Sequence, residues 1–133
     1  MSPRLFETAS EWLRRAHSNY ARTQLPRTDE IYLEDLCFDA QQTAEKALKA
    51  IFVLHGKRFP HTHDLAELLS ELEGFVEEIP QTVRESVQLN DYAILTRYPG
   101  WGPRVTEEEF KQAVDQAHAV LEFADRHFAA HGH

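Results

Sequence analysis

The 133-residue chain has one cysteine, Cys37, and lacks any apolar run of the ~20 residues that a bilayer-spanning helix needs. A lone cysteine excludes an internal disulfide and cannot by itself build a thiolate metal cage, which suits a reducing compartment. The first residues, Met1 to Glu7, lack the apolar stretch of a signal peptide, so the expectation is a cytoplasmic protein with no membrane contact. Basic charge is also scarce. Fourteen Lys and Arg stand against 22 Asp and Glu, for a net charge of -8. That field repels nucleic acid at long range and excludes generic coating of DNA or RNA, so any polyanion contact has to be local. Eight histidines soften the balance near pH 6, where partial protonation removes negative charge.

What is present is helical periodicity. With 42% hydrophobic residues the chain can bury one ordinary core, and a single domain over residues 1–133 is expected. From about Pro3 to Gln24, residues Leu5, Phe6, Ala9, Trp12, Leu13, Ala16 and Tyr20 share one helical side. A second helix from about Glu30 to His55 places Leu36, Ala40, Ala44, Ala47, Ile51 and Leu54 on one face, and its alanines allow another helix to approach closely. Gly56 stops it, and a loop runs to His63. Asp64 is placed to cap a short helix carrying Leu65, Leu68, Leu69 and Leu72, which ends at Gly74. Pro80 opens a fourth helix that reaches about Leu95, since Tyr98-Pro99-Gly100 disfavours continuation. After a loop from Arg97 to Val105, Thr106-Glu107-Glu108-Glu109 reads as a capping box for a last long helix. The fold class is therefore all-α, with no convincing strand and no internal repeat.

Two groups of residues carry candidate chemistry. His55, His61 and His63 are close in sequence and imidazole is a common metal ligand, but two of them fall on a loop with no cysteine near, and the spacing is not that of a recognised site. No metal ligand is assigned. On the second helix, Phe38, Gln42, Lys46, Lys49 and Val53 form a stripe opposite the alanine seam. Either Phe38 packs under a loop while Lys46 and Lys49 point into water, or the stripe is a partner interface.

The combination Phe38-x-x-Gln41-Gln42-x-Ala44-Glu45-Lys46-Ala47-x-Lys49-Ala50, then Thr62-His63-Asp64-Leu65 with Leu68-Leu69, then Ala93 with Arg97-Tyr98-Pro99, resembles the HEPN domain. The resemblance covers nearly the whole chain. It implies an up-and-down bundle of four or five helices that commonly forms a homodimer. It also implies a frequent partnership with a separately encoded minimal nucleotidyltransferase, often in toxin-antitoxin pairs, and nucleotide as a ligand without any resident cofactor.

Many members of that family are metal-independent ribonucleases in which an arginine is followed, after four to six residues, by a histidine. The histidine takes the ribose hydroxyl proton while the arginine stabilises charge growing on phosphate. Here no histidine follows Arg97 in the loop before the last helix. The spacing does occur from Arg58 to His63 and from Arg126 to His131 or His133, but ten arginines and eight histidines yield roughly two such matches by chance. No catalytic residue is assigned, with Arg58 and His63 as the alternative. For ligand binding the expectation is Arg97, flanked by Tyr98 and Trp101 as stacking faces and supported by Lys46 and Lys49. The competing reading gives Arg97 a salt bridge to Asp91 or Glu45. Three functions stay open: a nucleotide- or protein-binding module, a ribonuclease, and an adaptor with no ligand.

Overall fold

The computed structural model describes residues 2–95 and 104–131. Among them there are helices and no strands. Helix α1 spans Pro3–Thr23, α2 Leu33–Leu54, α3 Leu65–Leu72, α4 Gln81–Arg84, α5 Asn90–Leu95 and α6 Glu107–His131, with a 3-10 segment, Glu85–Leu89, between α4 and α5.

Local chemistry sets most of the ends. Ser2 accepts the Leu5 backbone N–H at 3.1 Å, and Pro3, which has no N–H to satisfy, starts α1. At the far end of α2, Gly56 adopts φ +68°, its N–H reaches the Val53 carbonyl, and the Lys57 N–H reaches the Phe52 carbonyl, both at 2.9 Å. This is a complete Schellman motif, and it turns the chain sharply into the following loop. Asp64 caps α3 through the Ala66 N–H at 2.9 Å. Thr106 and Glu109 form the expected reciprocal box, each side chain accepting the other's backbone N–H, at 3.1 and 3.0 Å.

Helix α2 is the centre. Fifteen of its 22 residues are buried, so it is covered on more than one face. The expected seam of Leu36, Ala40, Ala44, Ala47, Ile51 and Leu54 is buried throughout. Ala9 and Ala16 of α1 are buried as well, and these small side chains let α1 lie close against α2. Helix α1 runs antiparallel to both of its long neighbours. Asn19 bonds Asp39 near the start of α2, while Phe6 lies 6.3 Å from Phe128 near the end of α6. The C-terminal ends of α2 and α6 therefore meet at one end of the bundle.

The region expected as one helix from Pro80 to Leu95 is broken. Val83, Ser86 and Leu89 are all buried. A spacing of three matches the 3.0 residues per turn of a 3-10 helix, so tightening the turn aligns these side chains on the inner face. The buried Ser86 hydroxyl donates to the Val83 carbonyl, taking up a backbone acceptor that a continuous α-helix would otherwise use.

Candidate functional site

Inside the bundle, on α2, lies a charged cluster. The Glu45 side chain is 5% exposed and the Lys49 side chain 8%, one helical turn apart, with the Lys49 ammonium 3.0 Å from Glu45 Oε2. Gln41, a turn earlier, donates its amide to Glu45 Oε1 at 3.1 Å. Burial alone would raise the Glu45 carboxyl, but the Gln41 amide, the Lys49 ammonium and the His63 ring bonded to it outweigh burial and hold it below the usual carboxylate range.

The pair anchors the loop that follows α2 at two points. His63 Nδ1 lies 3.0 and 3.1 Å from the two Glu45 oxygens, while the His63 side chain is 67% exposed. The carboxylate selects the tautomer with the proton on Nδ1, which leaves Nε2 as a lone-pair acceptor on an exposed ring. The second anchor is Phe59, whose ring centre is 5.0 Å from the Lys49 ammonium and which meets Trp12 edge-on at 5.2 Å. A charge buried by the core thus supports aromatic contacts at the surface.

Over Phe59 the loop forms a groove of about 330 Å³ lined by Val53, Lys57, Arg58, Phe59 and His61. Its apolar wall comes from Val53 and Phe59, and its rim from two cations and an imidazole. On a chain of charge -8 this is a local concentration of anion-binding groups. A planar ring can lie on Phe59, while Arg58 offers a bidentate fork to phosphate.

The expected ligand residues fall in different places. Arg97, Tyr98 and Trp101 lie outside the described residues. Lys46 donates to Asn19 Oδ1 at 2.7 Å, within an α1–α2 network in which Asn19 and Arg22 also bond Asp39. Burial draws the Lys46 ammonium below its usual range. Lys49 does not point into water; its charge is committed to Glu45 and to the rings of Trp12 and Phe59. Of the alternative catalytic pair, Arg58 lines the groove and His63 stands on Glu45. The three histidines grouped by sequence are separated, with His61 on the groove, His63 on Glu45, and His55 turned toward His127 of α6.

Sequence reasoning missed the Lys57, Phe59 and His61 groove and the burial of Glu45. The Glu45/Lys49 spacing of four residues was a visible signal for the ion pair, but helical periodicity placed Lys49 on the face opposite the core.

An all-α bundle around one buried central helix, with a basic loop fastened to a buried carboxylate, defines the class of protein. The chain belongs to the HEPN domain family, which it matches over residues 9–127. Among solved structures it is similar to TT1696 from Thermus thermophilus, with 32% identity and a TM-score of 0.76 over 89% of this chain and 96% of that one. It shares its fold with ST0689, an archaeal HEPN homologue, at 20% identity and a TM-score of 0.69 over 90% of this chain and 96% of that one. No match was found among curated proteins.

Proposed function

We propose that this HEPN module binds a nucleotide through the loop from Lys57 to His63, and that it acts as a homodimer beside a minimal nucleotidyltransferase in a two-component, toxin-antitoxin-like system. The observation that carries the binding reading is the double anchoring of that loop. The buried Glu45/Lys49 pair holds His63 by a hydrogen bond and Phe59 by a cation–ring contact, so the rim of the groove is fixed before any ligand arrives. Phosphate meets Arg58 and Lys57, and the base stacks on Phe59. Family membership supports the dimer and the nucleotidyltransferase partner. The net negative charge favours a compact ligand held locally over a long polyanion.

Calorimetric titration with ATP and GTP tests the reading. Arg58→Ala should weaken binding by about 1.5–3 kcal/mol, the usual worth of a charge-assisted hydrogen bond, with little change in melting temperature. Absence of any binding by the wild type contradicts it.

One observation favours a second reading, a metal-independent ribonuclease. A carboxylate-bound histidine with an exposed Nε2, five residues after an arginine, has the parts of a general base and a phosphate clamp. RNA cleavage in the presence of chelator, abolished by His63→Ala and by Arg58→Ala in folded protein, would establish it. Intact RNA under those conditions leaves the binding module.

A further inference from the structure

Every side chain lining the groove over Phe59 is either apolar, Val53 and Phe59, or basic, Lys57, Arg58 and His61. Resting on the reading that this groove holds a nucleotide, we infer that it selects its ligand by charge and ring face: it takes a nucleoside polyphosphate as the metal-free anion and accepts adenine and guanine alike.

The charge of the rim is uncommitted. Arg14, Arg15, Arg22, Arg27, Arg84 and Arg126 each bind a carboxylate of this chain. Among the described residues Arg58 and His61 have no hydrogen-bond, ion-pair or ring partner, and both are exposed on the groove. Lys57 has only the Phe75 ring, 5.9 Å from its ammonium. On a chain of net charge -8, cations left without an acid of their own are completed by an anion from outside. A free nucleoside triphosphate carries about four negative charges and its magnesium complex about two. Magnesium is held by carboxylates together with phosphate oxygens, so the ion competes with Arg58 and Lys57 for those oxygens and gains no carboxylate from this lining.

The base meets a ring face. Phe59 is fixed from within by the Lys49 ammonium, 5.0 Å from its centre, and by Trp12, edge-on at 5.2 Å. Stacking on such a ring tolerates any base, because every base has a π-face. Telling bases apart takes donors and acceptors aimed at their edges, as amide side chains supply for adenine. The loop's backbone is partly spent as well, since the Lys57 N–H bonds the Phe52 carbonyl, the Thr62 N–H bonds the Pro60 carbonyl, and Pro60 has no N–H.

Calorimetric titration of the full chain with ATP, GTP, AMP and inorganic tripolyphosphate, in chelator and again with magnesium in excess, tests the inference. In chelator ATP and GTP should bind within about threefold of each other, and AMP about tenfold or more weaker for the loss of charge-assisted contacts. Magnesium should weaken ATP severalfold. Arg58→Gln alters an exposed side chain and should weaken ATP and tripolyphosphate alike, whereas Phe59→Leu should weaken ATP about fivefold or more and leave tripolyphosphate unchanged. An Arg58 spent on guanine instead of phosphate would make GTP the preferred ligand and leave tripolyphosphate indifferent to Arg58→Gln. That result, a tenfold preference between ATP and GTP, or tighter ATP binding with magnesium overturns this inference alone; no binding of any of the four compounds overturns the nucleotide reading with it.

Discussion

Glu45 sits at the junction between core and surface, and single substitutions there separate its roles. Lys49→Ala leaves the carboxylate buried without its ammonium, a change that typically costs about 3–5 kcal/mol, so thermal unfolding should show a large fall in melting temperature. Glu45→Gln keeps the shape and removes the charge. Because the folded state holds the Glu45 carboxyl below its ordinary value of 4.5, its contribution is fully present above that pH and is lost as pH falls through the folded value. Melting curves of wild type and Glu45→Gln should therefore differ at neutral pH and converge as the pH drops below 4.5; a constant difference would show that the charge contributes nothing. The Glu45-to-Lys49 spacing was legible in the sequence, but its burial was not. Helical periodicity assigns faces from apolar residues, and a charged pair that satisfies itself can occupy an inner face without disturbing the pattern.

At the scale of the element, the ends were more legible than the interiors. The Thr106/Glu109 box and the Gly56 stop follow from residue types whose geometry is local, and both stand where the sequence placed them. The break within residues 80–95 was not legible, because it depends on which face Val83, Ser86 and Leu89 must turn toward α2 and α6. Gly56 also turns the chain into the loop that lines the groove. A methyl group there has room, with Leu5 Cδ2 at 3.6 Å, so the cost of Gly56→Ala comes from φ +68° and should be about 1–2 kcal/mol by denaturant unfolding. Asn tolerates that conformation better, so Gly56→Asn should cost less, and equal losses for the two variants would point to packing instead.

For the whole molecule, the all-α class was legible from helical periodicity, and the HEPN family from three motifs in order between Phe38 and Pro99, within the matched residues 9–127. The groove over Phe59 was not, since its lining joins the end of α2 to residues of a loop anchored by Glu45 and Lys49. Light scattering at micromolar concentration should give the mass of a dimer, and a strictly monomeric mass would remove the assembly from the proposed function. The location of the ligand is tested most directly by following backbone amide resonances of the labelled protein during titration with ATP. The expected result is saturable shifts concentrated at Val53, Lys57, Arg58, Phe59, His61 and His63, with the α1–α2 network around Lys46 unmoved. Shifts that bypass the loop from Lys57 to His63, or no shifts at any ATP concentration, would contradict the account.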